Sequence, residues 1–281
     1  MPNISEFKDA VIWITGASSG IGEALALAFA NEGARLVLSA RNQDTLEAVK
    51  AKCDQLSGKP ENSVVVLLDV TDSSQIDSAL KDVMAHFGRV DLLINNAGIS
   101  QRSRCLDTEM STYRTIFDVD VFGQMELTKA VLPVMLEQGQ GHIAVTASVA
   151  GKIGAPFRTG YSAAKHAMMG FFDALRTEVH DQNIRVTTIV PGYIQTNISA
   201  NAVVGDGSKF GQLDTDIRGG MSATECAEQI LRGMRKGKLE IPVGRGMEMQ
   251  ALWLKRFFPN LLFKLANKQY QKAARRGGFK L

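Results

Sequence analysis

Eight residues, Thr15-Gly16-Ala17-Ser18-Ser19-Gly20-Ile21-Gly22, constrain the fold of this chain more than any others. They join an apolar run (Val11, Ile12, Trp13, Ile14) to a segment in which Ile21, Leu25, Ala28 and Phe29 recur at helical spacing. A strand that passes through a glycine turn into a helix is a phosphate-binding element. Glycines let the backbone take positive φ and come close to an anion. The unpaired N–H groups of the helix start then meet that anion, helped by the helix dipole. The glycines fall at 16, 20 and 22, a spacing distinct from G-x-G-x-x-G. The same residues suit a turn that merely packs a helix tightly, but the position after the first strand favours a nucleotide. Its reactive end would reach residues far down the chain.

Further apolar runs at 36–38, 64–68, 92–94, 143–145 and 186–190 are nearly continuous rather than alternating. That is the pattern of parallel strands buried on both faces. The segments between them are long enough for crossover helices. Gly33 is placed to end the first helix, and 222–236 reads as a helix with Ser222 as N-cap and Glu225 three residues on. The longest helical stretch is 110–138, with Pro133 placed to bend it. Alternating strand and helix predicts an α/β fold, a doubly wound parallel sheet in a single domain, with the ligand outside the carboxyl ends of the strands.

The length of 281 residues suits one large α/β domain, and the longest Gly/Ser-rich stretch, 205–211, is too short to link two cores. An apolar fraction of 45% and a charged fraction of 22% exclude a disordered chain. The three cysteines are far apart and form no metal-ligand pattern with histidine, so no metal site is expected and a reducing, cytoplasmic setting is. No signal segment precedes the first strand, and no apolar run approaches the roughly 20 residues that span a bilayer. The net charge of +3 is uneven: eight Lys and Arg and no acid follow Glu248, which leaves residues 1–248 at −5. Residues 1–248 and a basic amphipathic extension, 249–281, are therefore read apart. No nucleic-acid partner is expected.

The chemistry-bearing residues sit at predicted strand ends. After the second run comes Ala40-Arg41-Asn42 with no acid. NAD sites usually carry an acid there for the ribose 2′-hydroxyl, and NADP sites an Arg. A guanidinium grips a phosphate with paired bonds, so NADP(H) is preferred over NAD(H), against a merely solvated Arg41. Asp69, after the third run, either accepts from an adenine amino group or caps the next helix. Asn95-Asn96-Ala97-Gly98 lets backbone approach a cofactor, with an amide to tie neighbouring strands, or forms only a turn. Tyr161 and Lys165, four residues apart, share a helix face. A free phenol titrates near ~10, and a neighbouring ammonium favours its ionised form. Lys165 can thus tune Tyr161 as a general acid or base. Alone, that pair would be read as a solvated helix surface, but Ser148, just beyond the fifth run, adds a hydroxyl able to hold a carbonyl oxygen. Pro191-Gly192-Tyr193-Ile194-Gln195-Thr196 follows the sixth run, with backbone and a Thr196 hydroxyl able to grip a carboxamide or phosphate.

TGASSGIG, NNAG, the Ser148/Tyr161/Lys165 set and PGYIQT occur in order across about 8–245. The chain thereby resembles the short-chain dehydrogenase/reductase family, in its Rossmann-like single-domain form. The text around Tyr161-Ser-Ala-Ala-Lys165 and Leu127-Thr-Lys-Ala-Val-Leu-Pro133 is most like the dehydrogenase/reductase 7B-like branch. The resemblance implies that Gly16, Ser18, Ser19, Gly20, Ile21 and Gly22 meet the cofactor phosphates and adenosine ribose. Arg41 and Asn42 would read the 2′-phosphate, and Asp69 and Val70 would flank adenine. Asn96, Ala97 and Gly98 would line the ribose, Lys165 would hold the nicotinamide ribose, and Ile194 and Thr196 the carboxamide. Ser148 and Tyr161 would bond the substrate oxygen, with Tyr161 passing the proton. One position departs from the family: its usual helix Asn is Asp120, which keeps an acceptor, loses the amide donors and adds a charge that holds Lys165 protonated.

The reading is an NADP(H)-dependent carbonyl reductase or alcohol dehydrogenase acting on a small, mostly apolar carbonyl or alcohol. A 3-oxoacyl-carrier-protein reductase is the alternative enzyme, and an NADP(H)-sensing regulator the alternative without turnover. The resemblance implies a homodimer or homotetramer. Segment 197–221, rich in Gly and Ala, is expected to cover the substrate, and no charged triad in it advertises an acid or phosphate substrate. The extension, with Leu252, Trp253, Leu254, Phe257, Phe258, Leu261, Leu262 and Phe263 among its basic residues, reads as a peripheral membrane contact, as a cover for the substrate mouth or a subunit interface, or as packing on the body.

Overall fold

The computed structural model describes residues 7–275. The apolar runs form a seven-stranded parallel sheet with seven strands in the order β3-β2-β1-β4-β5-β6-β9. Its strands are β1 (Val11–Thr15), β2 (Arg35–Ser39), β3 (Ser63–Val65), β4 (Leu92–Asn95), β5 (Gly141–Thr146), β6 (Ile184–Pro191) and β9 (Glu240–Val243). A two-residue pair, β7 (Ile194–Gln195) and β8 (Met221–Ser222), lies apart. The connections are α1 (Gly20–Asn31), α2 (Gln43–Ser57), α3 (Ser73–Phe87), α4 (Met110–Phe117), α5 (Gly123–Glu137), α6 (Thr159–Glu178), α7 (Thr215–Arg218) and α8 (Ala223–Arg235); α9 (Met247–Phe257) and α10 (Pro259–Arg275) follow the last strand.

Because strand side chains alternate, each strand supplies two cores. Ile12, Ile14, Leu36 and Leu38 pack with Leu25, Phe29 and Ile230 from α1 and α8 on one face. Val11, Trp13, Val37 and Leu93 pack with Val83, Val131, Met168 and Phe172 from α3, α5 and α6 on the other. Helices on both faces explain why the strand runs are apolar throughout. β1 lies between β2 and β4, so the chain winds outward in opposite directions from it. The carboxyl ends of β1 and β4 flank that switch point, where such sheets open a crevice for a ligand.

Two predicted boundaries shift. β3 is shorter than 64–68, although Val66 and Leu68 N–H still donate to the Leu38 and Ala40 carbonyls. The stretch 110–138 is two helices joined by a π-helical turn, Asp118–Phe122. The departure from α geometry therefore lies around Asp120, and α5 continues through Pro133. Pro133 stays inside α5 on an exposed face, where water can satisfy the carbonyl that its missing N–H leaves open. The α1 ending holds, with Gly33 at φ +78° just after it. The Ser222 cap also holds, since its side chain accepts from the Glu225 N–H. The strand 240–243 was not among the apolar runs, because Pro242 and Glu240 break its pattern.

Trp13, fully buried in β1, donates from its indole to Ser39 Oγ at 2.9 Å. Trp13→Ala is expected to destabilise the fold by about 3–5 kcal/mol, read as a lower urea midpoint with an unchanged slope.

Candidate active site

The glycine turn takes the shape its residue types allow. Gly16 and Gly20 have φ of +63° and +61°. A Cβ would lie 3.0 Å from Ala97 Cα at Gly16, and 3.0 Å from the Thr196 methyl at Gly20. The turn is thus walled by the chain leaving β4 and β6. Ser19 precedes α1 without a side-chain cap, so the first N–H groups of that helix are left for an anion. Asn96 Nδ2 donates to the Thr15 and Gly16 carbonyls at 3.0 and 3.4 Å, and the N–H groups of Asn96 and Ala97 both donate to Thr15 Oγ1 at 3.0 Å. The amide therefore ties β1 to β4.

A cleft of about 1870 Å³ runs from this turn to α9 and α10. Gly16, Ser18, Ser19, Gly20, Ile21, Arg41, Asn42, Asp69, Val70, Asn96, Ala97, Gly98, Ser148, Tyr161, Lys165, Ile194 and Thr196 all line it. Gly22 and Asp120 are not among its lining residues. A Cβ on Gly22 would fall 2.2 Å from the Gly16 carbonyl oxygen, so this glycine permits the close seating of α1 on the turn. At the β2 end Arg41 is exposed and makes no hydrogen bond or ion pair with another described residue. Asn42 caps α2, its Oδ1 accepting from the Thr45 N–H at 3.0 Å. Asp69 accepts from the Thr71 N–H and hydroxyl at 3.0 and 2.8 Å. The cap of α3 is Asp72 instead, which accepts from the Ser74 and Gln75 N–H groups.

The α6 helix carries Tyr161 and Lys165. Its start is fastened by Gln101, whose Oε1 accepts from the Gly160 and Tyr161 N–H groups at 2.7 and 3.3 Å. Lys165, only 4% exposed, donates to the Thr146 carbonyl at 3.1 Å. It pairs with Asp120 Oδ2 at 3.2 Å and sits 5.7 Å from the Tyr161 ring centroid. The π turn turns Asp120 inward, where its Oδ1 also accepts from the Ile99 N–H at 2.7 Å. Burial alone would push the Lys165 ammonium down; the charges of Asp120 and Tyr161 outweigh it and hold the ammonium above its ordinary value. Ser148 accepts from the Ala150 N–H at 3.0 Å, and its own proton is free to donate. The site thus combines an anion cradle with a phenol, a hydroxyl and a buried ammonium. That set can hold a dinucleotide and move a proton to or from a substrate oxygen.

Sequence reasoning missed a second charged group. Asp214, within 197–221, accepts from Arg102 Nε and from Arg158 Nη2, each at 2.8 Å. All three residues line the cleft. The segment supplies only one member of this group; the chain after β4 and the approach to α6 supply the others. Burial would raise the Asp214 carboxyl, but the two guanidiniums hold it below its usual range. No local motif joins residues 102, 158 and 214, so only the fold reveals the group. Gln101 was missed for the same reason. His166, next to Lys165 in sequence, is exposed and bonds the Ser162 carbonyl through Nδ1 at 2.8 Å. Among the described residues no group of acids, His and Cys could hold a metal ion.

The family model described as short chain dehydrogenase matches residues 10–205. Dehydrogenase/reductase SDR family member 7B of Mus musculus is 41% identical over 94% of this chain and 82% of its own length. Dehydrogenase/reductase SDR family member 7 of Homo sapiens is 39% identical over 95% and 79%. Among solved structures, a short chain dehydrogenase/reductase from Burkholderia phymatum in complex with NAD aligns with a TM-score of 0.77 at 25% identity, covering 91% of this chain and 96% of that one. An alcohol dehydrogenase from Thermococcus sibiricus complexed with 5-hydroxy-NADP aligns with a TM-score of 0.72 at 28% identity, covering 84% and 96%. The chain belongs to the short-chain dehydrogenase/reductase family.

Asp120→Asn removes the carboxylate that holds the proton on Lys165. The Lys165 ammonium is then lost at lower pH, so the alkaline limb of the activity profile should move down by roughly one unit. A pH–rate profile with an unmoved limb excludes this role for Asp120.

Proposed function

We propose that this protein is an NADP(H)-dependent oxidoreductase acting between a carbonyl and an alcohol on a small, mostly apolar substrate. The observation that carries the reading is Lys165, buried against Asp120 and one helical turn from Tyr161, in the cleft that begins at the glycine turn. When bound, the cofactor supplies or accepts the hydride. The residues around the Gly16 and Gly20 cradle would hold its phosphates, with Asn96, Ala97 and Gly98 at the ribose, Asp69 and Val70 at adenine, and Ile194 and Thr196 at the carboxamide. The solved relatives include one with NAD and one with an NADP derivative, so the cofactor preference rests on this chain. Arg41, exposed and unpaired among the described residues, with no acid at the end of β2, favours a 2′-phosphate.

In reduction, Ser148 and Tyr161 donate to the substrate oxygen, and Tyr161 passes its proton to it. Lys165 stabilises the phenolate left behind and, with those donors, offsets the charge that develops on oxygen. Asp120 keeps Lys165 charged and oriented. Residues 1–248 form the catalytic unit, a dimer or tetramer, and 249–281 a separate basic extension, whose described part reaches the cleft mouth and is available for contact with a membrane surface. Three cysteines without disulfide partners, two of them buried, suit a cytoplasmic setting.

NADPH oxidation against a panel of ketones and aldehydes tests the reading. Tyr161→Phe should lower turnover by about 10²–10⁴-fold while NADPH binding is retained. Tight NADPH binding with no turnover by the unaltered protein would instead favour a sensor. Arg41→Ala should weaken NADPH by roughly tenfold or more, as expected for loss of a charged hydrogen bond, and leave NADH affinity unchanged. Equal weakening of both cofactors would remove Arg41 from 2′-phosphate recognition.

A further inference from the structure

The extension after β9 lines the outer end of the cleft and carries much exposed apolar surface. Leu262, 8% exposed, turns inward, and Tyr270 packs its ring 5.4 Å from that of Phe157. These contacts seat α10 on the body. Beside these contacts the extension presents Trp253 at 71%, Phe257 at 60% and Phe258 at 63% exposure, with Leu261, Phe263 and Leu265 near half. Trp253 and Phe257 are stacked at 5.8 Å. Monomeric soluble proteins rarely expose contiguous apolar area of this kind without a partner for it.

The charges around the patch narrow the partner. Lys255 lies 4.8 Å over the Phe263 ring, and Arg256, Lys264 and Lys268 are exposed. None of these four forms an ion pair with a described acid, and the sequence has no acid beyond Glu248. Arg276 and Lys280, which add to this charge in the sequence, lie outside the described residues. A second copy of the chain meeting this face by two-fold symmetry would set like charges against one another. A bilayer with anionic headgroups complements both features: apolar side chains enter the acyl boundary while the ammonium and guanidinium groups reach the headgroups.

The position of the patch points to the same partner. Trp253, Phe257, Phe258 and Leu265 are exposed and also line the cleft. A protein seated there would seal the mouth, whereas a lipid surface leaves it open to apolar molecules dissolved in the membrane.

We propose that α9 and α10 dock this protein on an anionic bilayer surface with the mouth of the cleft facing the acyl region. The docking is independent of the proposed oxidoreductase chemistry; only its use as an entry path for substrate rests on that reading.

Co-sedimentation of the full chain with vesicles of phosphatidylcholine alone and of phosphatidylcholine with phosphatidylserine tests it. Binding is expected to the anionic vesicles, to weaken with salt, and to shift tryptophan emission to the blue. Trp253 would report that shift, because Trp13, the other of the two tryptophans, is already buried. Lys264→Glu with Lys268→Glu, at exposed positions off the cleft wall, should lower vesicle affinity by roughly thirtyfold. The same variant should keep lipid-free NADPH oxidation and the thermal midpoint unchanged. Absence of binding to either vesicle, or binding indifferent to phosphatidylserine and to the charge reversal, overturns the proposal. So does a dimer that the same reversal alters while vesicles are ignored, which would make the patch a subunit interface. Failure of turnover with intact vesicle binding would strike the chemistry and leave the docking standing.

Discussion

The catalytic side of this molecule depends on one buried ammonium. Lys165 is brought out of water by α6, and such a charge is tolerated inside a protein only when paired and hydrogen-bonded. Its partners come from two other places: the Asp120 carboxylate from the π turn between α4 and α5, and the Thr146 carbonyl from the end of β5. Removing any of them would leave a charge uncompensated. The arrangement therefore fixes the relative positions of three elements as well as the electrostatics beside Tyr161. It also accounts for the π turn. A regular helix through 118–122 would present residue 120 at a different angle, and the extra residue per turn turns its carboxylate toward both Lys165 and the Ile99 N–H.

The sheet supplies the frame for that pair. The strand order leaves an opening where β1 and β4 part, and the glycine turn, the Asn96 amide and the chain after β6 converge on it. The segment over the cleft is held from a different direction. A single Asp214 oxygen receives guanidinium donors from the chain after β4 and from the residue before α6. Segment 197–221, the chain after β4 and the start of α6 thus meet at one carboxylate.

Features set by near neighbours in the sequence were readable in advance. The glycine turn, the strand runs, the Gly33 helix ending, the Ser222 cap and the Tyr161/Lys165 pair each depend on a few adjacent residues, and each appears where local chemistry puts it. Asp69 and Asp72 mark the limit of this approach. Two acids three residues apart compete for the same helix start, and only the backbone path decides that Asp72 takes the cap. Gln101 at the start of α6 and the Arg102, Asp214 and Arg158 group were not legible at all. Their partners are separated by most of the chain and share no spacing rule.

The amino-acid sequence by itself determined the alternating strand–helix architecture, the glycine turn and the shared helix face of Tyr161 and Lys165, because these follow from periodicity, backbone freedom and the chemistry of neighbouring groups. The tertiary structure decided which distant charges meet, where the long helix departs from α geometry and which face of the C-terminal helices stays uncovered. Those outcomes depend on the register and packing of an open sheet covered on both faces, through which residues far apart in the chain compete for the same partners and the same exclusion from water.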